Sequence, residues 1–279
     1  MRAIISRSIG ATIAAAAAIH DATAQNTLGS ERRDFNNLRG DVWSAWTAVT
    51  HPDRSAAIPV VAIAAAFAAV VPHDSAIHVW MTRNEGAPLM RLIGPFREHR
   101  TVPLEWLGSG QTLLPLSAVA YATGRVSHSS ALRDAGLGCA AAHLSSAGLR
   151  EVIYRIVSRE RPNVTPEAMQ FSIPGKRAWT EHSFLSGHIS NSTACASFMA
   201  HRYHVGPAAL LMYGYTSGIG LGRMADGWHW ASDTMAGGAL GFVIGKFIAD
   251  RQLSRNSADA NAAAASATPA LSFSWRLTF

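Results

Sequence analysis

PAALLMYGYTSGIGLGRMADGWHWASDTMAGGALGFVIGKFI, residues 207–248, contains two apolar segments of helical length, Pro207 to Leu221 and Thr234 to Ile248, and neither shows the alternation of a strand. The same pattern recurs upstream in Ala56 to Val71, Gln111 to Thr123, Ala135 to Leu149 and Ser190 to Ala200. Such a series predicts an all-α protein, a helical bundle of about six core helices. Gly136, Gly138, Gly237, Gly238, Gly241 and Gly245 permit close helix approach. The spacing of Gly241 and Gly245 suits a membrane packing seam and a soluble bundle equally well.

The two ends of the chain read differently. Arg2 and Arg7, the apolar run Ile9 to Ile19 and the small-residue pattern Ala22-Thr23-Ala24 read as a signal peptide over residues 1–24, with an uncleaved anchor helix as the alternative. Residues 25–253 would form the helical domain, and its first part is a polar stretch with turn residues. Ser254 to Ala270 is an Ala/Ser/Asn/Asp tract that reads as a linker. From Leu271 to Phe279, apolar and polar residues alternate as in a short C-terminal β-strand.

Composition narrows the partners. The formal net charge is +6, and Lys176 and Lys246 are the two lysines among 24 basic residues, the rest being arginine. The planar guanidinium fork suits bidentate contact with phosphate or carboxylate, so the balance favours an anionic partner, with a solvated basic surface as the plainer alternative. No nucleic-acid partner is expected, and oligomeric state is not encoded. Cys139 and Cys195 could pair in an exported protein, although a buried thiol at each is an equal reading.

Three segments carry chemistry. In the first, helical spacing puts Tyr154 and Arg161 two turns apart on one face, with Pro162 ending the helix and Arg161 facing outward. The second is Ser186-Gly187-His188 at the start of a helix, where amides and a hydroxyl can converge on an anion. The third is Arg223, His229 and Asp233. The i, i+4 spacing of His229 and Asp233 would let the carboxylate take a proton from one ring nitrogen and leave the other exposed. His182, His201 and His204 lack an accompanying carboxylate or thiolate cluster and read as surface histidines, with no metal site.

In order and placement these segments resemble the type 2 phosphatidic acid phosphatase and vanadium haloperoxidase superfamily, whose pattern runs K-x6-R-P, P-S-G-H and S-R-x5-H-x3-D. The resemblance covers about Leu132 to Ile248. It departs at Tyr154 for the lysine, Leu185 for the proline and Gly222 for the serine. Tyrosine offers one neutral hydrogen bond and no charge. Tyr154, Lys176 and Arg177 are therefore the further candidate phosphate ligands, the last two from the loop entering Ser186.

The resemblance implies an exported phosphatase acting on phosphate monoesters or lipid (pyro)phosphates through a phosphohistidine. His229 would be the nucleophile, Asp233 its orienter, and His188 the acid and base. Arg161, Arg223, Ser186 and the Gly187 amide would hold the phosphoryl oxygens. No cofactor is expected, with vanadate an inhibitor. The alternatives are a vanadium-dependent haloperoxidase, in which vanadate is the cofactor, and a catalytically weak phospholipid-binding envelope protein. Most apolar segments fall short of the ~20 residues a span needs. With a mean hydropathy of +0.10, this favours a periplasmic protein, soluble or peripherally membrane-associated; the alternative is an integral inner-membrane protein whose site faces the periplasm.

Overall fold

The computed structural model describes residues 29–48, 54–97, 104–175 and 181–267. Helix α1 spans 29–48 and α2 spans Arg54–Val70, with a single 3-10 turn, Val71–His73, joining α2 to α3 at Asp74–Arg83. The short α4, Pro88–Leu92, and two further 3-10 turns lead to α5, Gly110–Val126, and α6, Ser130–Ile156. A two-residue hairpin follows, β1 Ser158–Arg159 antiparallel to β2 Phe171–Ser172. Then come α7, Gly187–Tyr203, α8, Ala208–Ala225, and α9, Ala231–Ala267. The six expected core helices are α2 and α5 to α9, and the fold is all-α.

Two elements depart from expectation. The polar stretch after the leader is helical as α1, because its buried face carries carboxylates instead of aliphatic residues. Asp34, Asp41 and Ala45 lie inward at helical spacing, and Asp41 accepts from Arg251 at 3.1 Å and from Arg255 Nη2 at 2.7 Å. The tract expected as a linker continues α9 to Ala267. Alanine has the highest helix propensity, and the Asp41 pairs fasten its first turn to α1. The expected leader and the C-terminal strand at 271–279 lie outside the described residues.

The site is positioned by the packing of α7 on α9. A Cβ at Gly237, Gly241 or Gly245 would collide with the carbonyl oxygens of Ser186, Ser190 and Ala194 respectively. Partners advance by four on both helices, so α7 and α9 run parallel with their backbones in contact. Helix α6 runs antiparallel to α7, with Gly138 against Phe198 and Gly187 against Arg150. Helix α8 runs antiparallel to α9, with Gly220 near Thr234 and Tyr213 beside Phe242. The C-termini of α6 and α8 and the N-termini of α7 and α9 therefore meet at one end of the bundle. At its centre, Phe198, Ile244, Ile248, Ala141, Ala142 and Ala194 form the main apolar cluster.

Cys139 of α6 and Cys195 of α7 are joined by a disulfide across a separation of 56 residues. A loop of that size limits the unfolded chain by roughly 4 kcal/mol on the chain-entropy estimate. Reduction, or the double change Cys139→Ser and Cys195→Ser, is expected to lower Tm by several degrees in thermal unfolding. An unchanged Tm would show that the bond adds nothing.

Where its burial is described, at 61 and 63–70, helix α2 is largely exposed. Through the 3-10 turn it continues into α3, so that Ile63–Arg83 is the one stretch among the described residues long and apolar enough to cross a membrane. The apolar segment at 56–71 thus belongs to a longer unit than its own boundaries suggest.

Candidate active site

The three segments meet at the shared end of the bundle. Helix α6 stops at Ile156, so Arg161 is not on that helix; it follows β1. It is also not outward-facing, being 2% exposed. Its guanidinium lies over the Trp228 ring at 4.8 Å, and that of Arg223, from the last turn of α8, lies at 5.0 Å from the same ring. One indole thus holds both arginines. It is placed by the turn after α8, where Gly227 adopts φ +70, a conformation glycine enters without a Cβ penalty. The Trp228 amide then donates back to the Arg223 carbonyl at 3.0 Å.

Ser186 is the N-cap of α7, yet its side chain makes no capping bond. Its Oγ is buried without a hydrogen-bond partner among the described residues. The first amides of a helix lack intrahelical acceptors, so hydroxyl and amides together form a donor-rich floor. His188 stands one residue into α7. Burial, then Arg223, Arg150 and Arg161, push its pKa down to about 3.

His229 precedes α9 in a loop segment and is 4% exposed. Its Nδ1 faces the Ser183 carbonyl oxygen at 2.7 Å. A carbonyl only accepts, so Nδ1 carries the proton and Nε2 keeps its lone pair. Burial first, then Arg223 and Arg161, lower the ring's pKa well below the usual value, and the Ser183 bond opposes this in part.

Asp233 does not take the His229 proton. Helix α9 begins at Ala231, so the two residues do not share a helical face. Asp233 sits at the third helical position and accepts from the Trp230 amide at 3.0 Å, the reach-back half of a capping box. It also accepts from Ser183 Oγ at 2.5 Å and Arg159 Nη1 at 2.6 Å. Its effect on His229 therefore passes through Ser183, whose hydroxyl it holds while the Ser183 carbonyl holds the ring. Asp233 is a positioning residue. Burial raises its pKa, against the downward pull of Arg159.

Arg159 joins two fully buried carboxylates, Asp233 and, at 2.7 Å through Nη2, Asp74 of α3. Asp74 in turn accepts from the Ser232 amide at 2.9 Å. Arg159, Asp74, Ser183 and Trp228 escaped the sequence reading. Arg159 stands two residues before the motif arginine, but its partners lie 85 and 74 positions away, beyond any local pattern.

Tyr154 is not a phosphate ligand. Its single donor bonds the Leu185 carbonyl at 2.8 Å, and burial raises its pKa. The ring stacks on His182 at 4.6 Å and lies beneath the Arg150 guanidinium at 5.6 Å. His182 is thus part of the pocket wall, not a surface histidine. His201 lies far along α7, its Nδ1 2.8 Å from the Ser197 carbonyl oxygen, and His204 follows that helix. Lys176 and Arg177 lie outside the described residues.

Residues 135–256 match the sequence profile of the family described as the PAP2 superfamily. A lipid A 1-phosphatase from Porphyromonas gingivalis is 34% identical over 67 residues, covering 23% of this chain and 15% of that protein. The chain thus spans a small part of that relative's length. The crystal structure of a transmembrane PAP2 type phosphatidylglycerolphosphate phosphatase from Bacillus subtilis superposes with a TM-score of 0.51 at 18% identity, over 71% of this chain and 96% of that one. That likeness is one of fold. The helical segment 135–256, which supplies the arginines and both histidines of this pocket, is the part of the chain that is similar to the PAP2 superfamily.

Proposed function

We propose that the protein is an exported phosphatase that cleaves phosphate esters through a phosphohistidine on His229. The observation that carries this is the Ser183 carbonyl on Nδ1, which leaves Nε2 unprotonated in a pocket of arginines. An anionic phosphoryl group repels nucleophiles, so a site must align the attack and neutralise the equatorial oxygens. Arg161, Arg223, Ser186 and the Gly187 amide fill that role.

In the first step Nε2 attacks phosphorus, the ester P–O bond breaks, and His188 gives its proton to the departing oxygen. In the second, His188 takes a proton from water, the oxygen attacks phosphorus, and the P–N bond breaks to release phosphate. Positive charge comes from arginine, so chelation with EDTA is expected to leave turnover unchanged; loss of activity restored by a divalent cation would refute the scheme.

The substrate class we favour is a phosphorylated lipid. An open groove of about 530 Å³ runs between α7, α8 and α9, lined by Ile189, Leu221, Met224, Met235 and Phe242. It begins one residue from His188 and suits an apolar tail. The exposed apolar stretch Ile63–Arg83 supports membrane association, and the disulfide, together with the leader expected from the sequence, supports a periplasmic location. Phosphate release from phosphatidic acid, a polyprenyl diphosphate and a soluble aryl phosphate, each with and without vanadate, tests the reading. Lipid turnover inhibited by vanadate is expected, and tight lipid binding without turnover would replace it with a binding role.

His188 must be protonated to act as the acid, yet burial and three arginines hold its pKa down to about 3. A bound dianion offsets the arginine charge and raises that pKa. Binding of sulfate, which unlike phosphate keeps its dianionic charge through this range, should therefore take up a proton near pH 6, and its affinity should increase as pH falls from 7 toward 6. Calorimetry in two buffers of different ionisation enthalpy measures the uptake; a value of zero would remove His188 from the acid role.

A further inference from the structure

Position 154 carries no charge and its hydroxyl is turned to Leu185, so the pocket lacks the lysine that the family pattern places there. One helical turn earlier on α6 stands Arg150. Its guanidinium rests on the Tyr154 ring, and its Nη1 lies so close to the Gly187 α-carbon that any Cβ at 187 would collide with it. Gly187 opens α7 between Ser186 and His188, at the donor-rich floor of the pocket.

We infer that Arg150 is the third cationic ligand of the phosphoryl group, supplying from the preceding helical turn the charge that position 154 does not carry. The inference rests on the phosphatase reading and adds a residue to it. Three further observations support the placement. Arg150 Nε is buried without a hydrogen-bond partner among the described residues, and no carboxylate among them pairs with this guanidinium. The buried Ser186 Oγ, equally without a partner there, marks the same end of α7 as a place for an acceptor. Arg150 also ranks beside Arg223 and Arg161 among the charges acting on His188.

Arg155, the other basic residue near position 154, points elsewhere: it is exposed and pairs with Glu151 at 3.3 Å. Tyr154 is then a positioning residue. Its ring, held between His182 and Arg150, keeps the longer side chain directed at Gly187, a cation–π arrangement. A lysine at 154 and an arginine at 150 would thus bring charge to one phosphoryl oxygen along different paths.

The test measures two quantities on the full protein: affinity for inorganic phosphate by calorimetry, and phosphate release from phosphatidic acid in detergent micelles. Arg150→Gln is expected to weaken phosphate binding and lower kcat/KM, each on the order of 100-fold. Arg150→Lys should lose far less, and the double change Arg150→Gln with Tyr154→Lys should regain most of the loss. Arg155→Gln serves as the control and should match the unaltered protein. Arg150→Met, which keeps the stem against the Tyr154 ring, replaces the glutamine variant if that one fails to fold.

If the charge-free variants bind phosphate as tightly as the unaltered protein, the inference is overturned while the phosphatase reading stands. If they lose phosphate affinity but the unaltered protein hydrolyses nothing, the inference holds and the phosphatase reading fails. Absence of phosphate affinity in the unaltered protein overturns both.

Discussion

His229→Ala should reduce phosphate release by at least ~10⁴-fold, the scale of loss seen when a covalent nucleophile is removed, while affinity for inorganic phosphate changes little. The separation follows from how the pocket divides its work. In the proposed mechanism the arginines, the Ser186 hydroxyl and the α7 amides bind the anion, and the attack on phosphorus is left to His229. The His229 ring makes its one hydrogen bond among the described residues through Nδ1, to Ser183, and in the proposed mechanism contributes Nε2 to the chemistry. Rapid acid-free quenching with a radiolabelled substrate should trap labelled protein, stable in base and labile in acid, in the unaltered chain and none in the variant. His188→Ala should instead accumulate label from an aryl phosphate whose leaving group departs without a proton, because water attack loses its base. Sustained turnover by His229→Ala would end the phosphohistidine proposal.

The largest stability effect is expected at Arg159. Both of its carboxylate partners are fully buried, and Arg159→Met would leave two carboxylates without their cation. Breaking a buried pair in this way costs about 3–5 kcal/mol, which in a protein of this size lowers Tm by roughly 10 °C. The pH dependence has a definite sign. Burial already raises the Asp233 pKa and Arg159 restrains it; without Arg159 the folded-state value rises further above the unfolded one. The associated stability is fully present below the unfolded pKa and is lost as pH rises through the folded pKa. The Tm gap between variant and unaltered protein should therefore narrow from pH 7 to pH 5. His188 and His229, whose pKa values are lowered, act in the opposite direction in both proteins and cancel in that difference. A gap that stays constant, or a Tm within a degree or two of the unaltered protein, would show that the triad is not what holds the Ser183 loop.

These two sites show what sequence could and could not disclose. Helices α2 and α5 to α9 were legible because each presents an apolar stretch of helical length. Helix α1 was not, since its inward face is built from aspartates neutralised from distant segments, Asp41 by Arg251 and Arg255 of α9 more than 200 positions away and Asp34 by Arg125 and Arg133. The pocket arginines and both histidines were legible from type and order. Their local geometry was not, because spacing implies a shared face only within one helix. Helix α6 ends before Arg161 and α9 starts after His229, so the expected Tyr154–Arg161 face and the direct His229–Asp233 bond both fail for the same reason. Arg159 and Asp74 are joined by a tertiary ion pair that leaves no mark on either local segment.

The glycine seam between α7 and α9 has a consequence for how this pocket can diverge. His188 and His229 stand at the heads of two helices whose backbones already touch at Gly241 and Gly245, and packed backbones do not compress. The gauge between the two histidines is thus set by main chain and is insulated from ordinary side-chain drift. Helix α8 meets α9 through side chains, including Tyr213 and Phe242. Adaptation to a bulkier or slimmer ligand would accumulate along α8, and the distance between His188 and His229 would stay constant.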